Sequence, residues 1–131
     1  MTSPESEAAL TYTFPLPPDE LRTNRRMGGH WGPLNKVKNA YKMVCQMAIR
    51  EQGIPHDTIR RCTVTLTAYL GKRQRCDPFD LGGWSKVPLD MLVKLGVLTD
   101  DQASCILLGI VRVDRDWDDT RLVIEVREVL S

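Results

Sequence analysis

The spacing of hydrophobic positions along this chain switches between two periods, and each switch marks a new element. Thr11–Leu16 (TYTFPL) alternates as a strand does and stops at Pro17-Pro18. From Val37 the period lengthens: Val37, Ala40, Tyr41, Val44, Met47 and Ala48 share one helical face, with Lys36, Lys38, Asn39, Lys42, Gln46 and Arg50 opposite. This predicts a helix capped by Asn35, carrying a core-facing apolar stripe and ended by Gly53 and Pro55. Cys62–Leu70 (CTVTLTAYL) alternates again and is rich in β-branched residues, which predicts a strand. A shorter helix is expected from Lys86 to Leu95, burying Leu89, Leu92 and Leu95. Pro88 is tolerated only in its first turn, and Gly96 stops it. Ser104–Val113 and Arg121–Val129 read as the last two strands, joined by the acidic turn DRDWDD. The order strand, helix, strand, helix, strand, strand predicts an α+β domain, a small mixed β-sheet packed by two helices. Residues 1–10 are expected to be a disordered polar tail on one domain, 11–131. Residues 19–34, with three arginines, a Gly-Gly pair and a proline, read as a long loop.

Composition narrows the class without naming a function. A chain of 131 residues, 42% hydrophobic and 27% charged, is one ordinary globular domain. It has no apolar run long enough for a membrane span, and its first residues lack a secretory pattern, so a cytoplasmic location is expected. Cys45, Cys62, Cys76 and Cys105 contain no CxxC pair, which argues against zinc and for free thiols.

The net charge of +1 conceals an asymmetry. Residues 21–75 hold 12 Lys and Arg against Glu51 and Asp57, whereas residues 76–131 hold six bases and eleven acids. A basic half beside an acidic half suits a protein that grips a polyanion and holds a metal. Solvated faces that neutralise one another in the fold account for the same pattern.

The stretch Lys72–Gln102 carries the most specific chemistry. Lys72, Arg73 and Arg75 lead into Asp77 and Asp80; Lys86 follows, then the short apolar helix, then Asp100-Asp101. Carboxylates brought together repel unless a cation sits between them, and an oxygen-rich site suits Mg²⁺, or Mn²⁺. Asp77, Asp80 and Asp101 are the candidate metal ligands, with Asp100 turned aside. Asp77 and Asp80 lie beyond a strand, and the helix is expected to bring Asp100 and Asp101 back to the same end of the sheet. Such a metal polarises a phosphodiester and acidifies a bound water, while Lys86 neutralises charge on the phosphorane or the leaving oxygen. Asp77, Asp80, Lys86 and Asp101 are therefore the candidate catalytic set. Lys72, Arg73 and Arg75, with Arg25 and Arg26 more weakly, are candidate phosphate contacts. Ordinary turn chemistry explains Asp-Pro and Asp-Asp equally well.

This stretch resembles the RusA family of Holliday-junction resolvases. Their motif reads Asp-x-Asp-Asn-Leu, a lysine, an apolar helix with Asp-x-Leu, then Asp-Asp before a strand. The matching residues are Asp77, Leu81, Lys86, Asp90-Met-Leu92 and Asp100-Asp101-Gln102, and Pro15–Pro18 and the helix through Tyr41 extend the likeness from about residue 12 to 127. The resemblance implies a Mg²⁺-dependent homodimeric endonuclease of prophage or bacterial origin, cutting four-way DNA junctions in recombination and repair. One departure is serious, since the second motif aspartate is missing. Counting back from Lys86 without a gap puts Asp80 at the first aspartate and Gly82 at the second. Counting forward from Asp77 puts Phe79 at the second and Asp80 at the asparagine, with two extra residues before Lys86. The forward match also aligns Asp77-Pro78 and Leu81 and is preferred, with Asp80 as substitute ligand. A relative that binds branched DNA without cutting is the alternative, and a plain dimeric structural protein is a third.

The remaining candidates are weaker. His30 and His56 have no partner at metal-ligand spacing and read as exposed loop residues. Trp31 suits stacking on an unpaired base, core packing or a dimer contact, while Trp84 is placed to orient Lys86. Trp117, in the acidic turn, reads as a surface anchor. The expected dimer element is Ser104–Val113 or the loop around Trp31.

Overall fold

Among the described residues four strands form one mixed sheet, with the helices packed on one face. The computed structural model describes residues 9–18, 21, 31–72, 74–76, 80–100 and 105–129, with backbone only for 31–34. The elements are β1 (Ala9–Phe14), α1 (Trp31–Gln52), β2 (Cys62–Leu70), the short α2 (Leu81–Trp84), α3 (Lys86–Lys94), β3 (Ile106–Arg115) and β4 (Arg121–Glu128). The sheet order is β1-β4-β2-β3. β4 runs antiparallel to both β1 and β2, while β2 and β3 run parallel, Cys62 facing Ile106 and Leu70 facing Arg115. The parallel pair requires a crossover, and α2 and α3 supply it. No described helix is long and apolar enough to cross a membrane.

Period-2 alternation divides the sheet into two faces. Tyr12, Phe14, Cys62, Val64, Leu66, Ala68, Leu70, Leu122, Ile124 and Val126 point into a single core with Tyr41, Cys45, Ile49, Trp84, Met91 and Leu92. Each fully buried side chain of Leu, Ile or Val size contributes on the order of 2 kcal/mol through removal of apolar surface from water. Glycine ends both long helices where the chain must turn left-handed, Gly53 at φ 111° and Gly96 at φ 85°.

The apolar stripe of α1 needs correction. The buried line is Tyr41, Cys45 and Ile49, one helical turn apart, whereas Val44 and Met47 are 41% and 56% exposed and Ala40 is exposed. The helix meets the sheet one row round from the expected stripe. Val37, Ala40, Tyr41 and Val44 instead line an open apolar groove of about 430 Å³ with Pro15, Leu16 and Pro18. α1 also starts at Trp31, a turn before the expected Asn35 cap, which takes four residues from the expected loop 19–34. Residues 19–20 and 22–30 lie outside the described residues. β1 begins at Ala9, so residues 9 and 10 of the expected tail are strand; residues 1–8 are outside the description. In α3 the fully covered residues are Val87, Pro88, Met91 and Leu92, with Leu89 and Leu95 only partly buried.

The two sheet edges are treated differently. Along β1, the Gln52 carboxamide at the end of α1 donates to the Thr13 carbonyl (2.8 Å) and accepts from the Thr13 N–H (2.7 Å). It thus copies one residue of a neighbouring strand. Tyr12 and Tyr41 brace the same region through hydroxyl bonds to the carbonyls of Gly53 (2.8 Å) and Pro15 (2.7 Å). Along β3, Leu107, Leu108 and Ile110 are 67%, 55% and 59% exposed.

Candidate functional site

The basic loop after β2 is a tight, braced turn. Gly71 N–H donates to the Gln74 side-chain oxygen (2.7 Å), and Arg115, at the end of β3, donates to the carbonyls of Gly71 (2.8 Å) and Gln74 (2.6 Å). The Asp116 N–H reaches the Leu70 carbonyl at 3.1 Å, tying the neighbouring turn to the same strand end. On this frame Lys72 and Arg75 are exposed, and the Lys72 ammonium lies 5.6 Å from the centre of the Trp117 ring. Arg73, Arg25 and Arg26 lie outside the described residues. Arg115 is the residue that sequence reasoning missed. Its partners are 41 and 44 positions away, and no local signal marks it.

The acidic turn between β3 and β4 serves itself. Arg121 donates to the Asp116 carboxylate (2.9 Å) and the Asp119 carbonyl (2.7 Å), and its guanidinium lies 3.9 Å from the centre of the Tyr69 ring. The hydrogen bond from Arg121 holds the Asp116 carboxyl below its ordinary value. Trp117 projects from this turn into solvent, as expected of a surface anchor.

Downstream, Asp80 is exposed at the start of α2 and makes no capping bond through its side chain. Leu81 and Trp84 fix α2 in the core; Trp84 is therefore packing, and it precedes Lys86 by two residues. Ser85 is buried with its hydroxyl on the Gly82 carbonyl (3.0 Å), and α3 follows directly, with Lys86 as its first residue. Lys86 pairs with Asp90 at 3.2 Å and its side chain is 63% exposed. An exposed i,i+4 pair of this kind contributes only about 0.3–0.5 kcal/mol. The pair places Lys N-terminal to Asp, the weaker orientation.

Asp100 is half-buried at the other end of the sheet from the basic loop. The Thr99 N–H and hydroxyl both donate to the Ile59 carbonyl, just before β2 begins (3.0 and 3.1 Å), and the Cys62 N–H bonds the Cys105 carbonyl (2.9 Å). The expected return to the same end of the sheet is thus corrected for this residue. A crossover between parallel strands leaves one end and re-enters at the other. Asp77 and Asp101 lie outside the described residues. Among the described residues no three His, Cys, Asp or Glu side chains are grouped as a metal site. The hard oxygen donors of Asp77, Asp80 and Asp101 suit Mg²⁺ by type. His56 is exposed, 3.2 Å from Asp57, a surface residue as expected; His30 and the Trp31 side chain are outside the description.

Compared with known proteins, this chain matches no family model and no curated protein.

Proposed function

We propose that this protein is a Mg²⁺-dependent, structure-selective DNA endonuclease that resolves four-way junctions, working as a homodimer in the cytoplasm of a bacterial or phage system. The observation that carries the reading is the order of chemistry along residues 72–102. A strand delivers a braced basic loop, carboxylates follow, Lys86 opens a helix, and an acidic pair precedes the next strand. From the carboxylates onward that order resembles the RusA motif, without its second aspartate. The exposed Lys72 and Arg75 hold phosphates without reading bases, since cationic contacts to the backbone are sequence-independent. Asp77 and Asp80 would hold the metal, with Asp80 in place of the missing motif aspartate; Asp101, the third ligand of this reading, follows Asp100, which lies at the other end of the sheet. Bound Mg²⁺ supplies Lewis acidity and a water of lowered pKa. Lys86 would neutralise charge developing on the phosphorane or the leaving oxygen. Paired cuts across a near two-fold junction call for two copies of the domain.

Two observations favour the second reading, a relative that binds branched DNA without cutting. The second motif aspartate is Phe79 or Gly82, and Asp100 lies at the far end of the sheet from the basic loop. A labelled four-way junction incubated with the protein, in Mg²⁺ and in EDTA, separates the readings. Cutting in Mg²⁺ alone supports the nuclease. A band shift without cutting supports the binding protein, and neither result leaves a structural role.

A further inference from the structure

We propose that Trp117 and Lys72 form a subsite for one unpaired nucleotide, the indole stacking on the base and the ammonium meeting the neighbouring phosphate. The ligand rests on the branched-DNA reading above, while Trp117 itself lies outside the stretch that resembles the RusA motif. Trp117 is 64% exposed, in a side chain type that is highly buried on average.

Two interlocked turns hold it there. The Asp119 N–H donates to the Asp116 carbonyl (3.3 Å), closing a four-residue turn with Trp117 as its second residue. Arg121 cross-braces this turn through the Asp116 carboxylate and the Asp119 carbonyl, and its guanidinium rests over the Tyr69 ring. The Asp116 N–H bonds the Leu70 carbonyl, so the turn is tied to the strand end from which the Lys72 loop departs. A Cβ at Gly71 would lie 3.4 Å from the Thr120 methyl, a measure of how closely the two turns pack. Arg115 fixes the Lys72 loop through the carbonyls of Gly71 and Gln74. The exposed ring thus stands on a hydrogen-bonded frame, and such preorganisation lowers the ordering cost of binding.

The ligand class follows from shape and charge. Lys72 stands over one face of the ring, 5.6 Å from its centre, and Arg75 is exposed on the same loop. A flat π surface beside cations matches a nucleotide, which offers a flat base beside a phosphate. The Trp117 turn carries three carboxylates, Asp116, Asp118 and Asp119, against Arg121. It therefore repels a duplex backbone laid across it, but not an uncharged base. Phosphate contact is left to the Lys72 loop. A paired base has its faces covered by its neighbours, so the ring selects one that is already out of the stack. The crossover of a branched DNA, where stacking is interrupted, is the place where such a base is least costly to expose.

Equilibrium binding by the full chain in EDTA, read by fluorescence anisotropy, tests the subsite. The probes are a labelled thymidine oligonucleotide, an abasic strand of equal length, and a duplex of that length. Wild type should bind the thymidine strand about 5-fold or more tighter than the abasic one, as expected for one stacked base. Trp117→Ala should abolish that difference and leave duplex binding unchanged, while Trp117→Phe restores most of it. Lys72→Ala should keep the preference for bases and reduce the slope of log K against log salt by about 0.7 on the single strand. A wild type that binds the two strands equally, or neither, overturns the proposal whether or not the variants fold. So does Trp117→Ala that keeps the preference, or that loses duplex binding to the same extent. An unchanged salt slope in Lys72→Ala removes the phosphate contact. EDTA prevents metal-dependent cutting, so failure here leaves the nuclease reading standing, and a junction left whole in Mg²⁺ leaves this subsite standing.

Discussion

Replacing Gln52 by alanine should show how much the guarded edge of the sheet matters. The substitution removes one bond donated to the Thr13 carbonyl, one accepted from the Thr13 N–H, and one donated to the Ala48 carbonyl at 2.9 Å. All three are exposed, so water replaces the lost partners and each bond contributes near the low end of the usual range, about 0.5 kcal/mol. Alanine is a slightly better helix former than glutamine, but at the last residue of α1 this returns only a few tenths of a kcal/mol. The net expectation is a loss of about 1 kcal/mol. Unfolding entropy near 2.1 cal/mol/K per residue gives roughly 0.28 kcal/mol/K for this chain, so Tm should fall by about 4 °C. Gln52→Glu keeps the acceptor but sets a carboxylate against the Thr13 carbonyl, and should be at least as unstable. Thermal melts followed by circular dichroism, with amide exchange at Thr13, provide the readout. A shift below about 1 °C, or a Glu variant as stable as wild type, would refute the capping role.

Two further outcomes are expected. Burial pushes the Cys62 thiol up to about 11, helped by Cys105 and Glu128, and the Cys45 thiol up to about 12, against a hydrogen bond with Tyr41 that lowers it. Because the native state holds these protons more tightly, their contribution is complete below the unfolded thiol value of 9.0 and is lost as pH rises towards 11–12. Denaturant melts between neutral pH and that range should show stability falling, and a flat profile would contradict the burial of these thiols. Replacing Lys72, Arg73 and Arg75 together by alanine should weaken DNA binding for every sequence and reduce the slope of log K against log salt by up to about 3, roughly one unit per lost phosphate contact. An unchanged slope in a salt titration would remove that role.

How much was legible in the sequence depends on the range over which each decision is made. β2 was readable residue for residue, because an alternating β-branched run bounded by polar turns states its own limits. The ends of α1 and α3 were readable because Gly53 and Gly96 adopt positive φ. The buried face of α1 was not. Val44 and Met47 are as apolar as Cys45 and Ile49, and the choice of row depends on how the helix docks on the sheet. The strand order β1-β4-β2-β3 rests on partners up to 118 positions apart, as in Ala9 with Arg127. Arg115, which braces the basic loop, belongs to the same long-range class. The separation of Asp100 from the basic loop follows from β2 and β3 being parallel, a pairing that periodicity does not reveal.

The central claim, metal-dependent cutting by the carboxylates of residues 77–101, is tested most directly by single-turnover cleavage of a fixed four-way junction. Wild type, Asp77→Asn and Asp101→Asn are compared in Mg²⁺ under conditions where all three bind the junction. Wild type should cut, and each variant should lose about a hundredfold or more in rate, the order expected when a group that stabilises charge at a reacting centre is removed. Variants that cut as fast as wild type, or a wild type that binds the junction and leaves it whole in both Mg²⁺ and Mn²⁺, would contradict the claim.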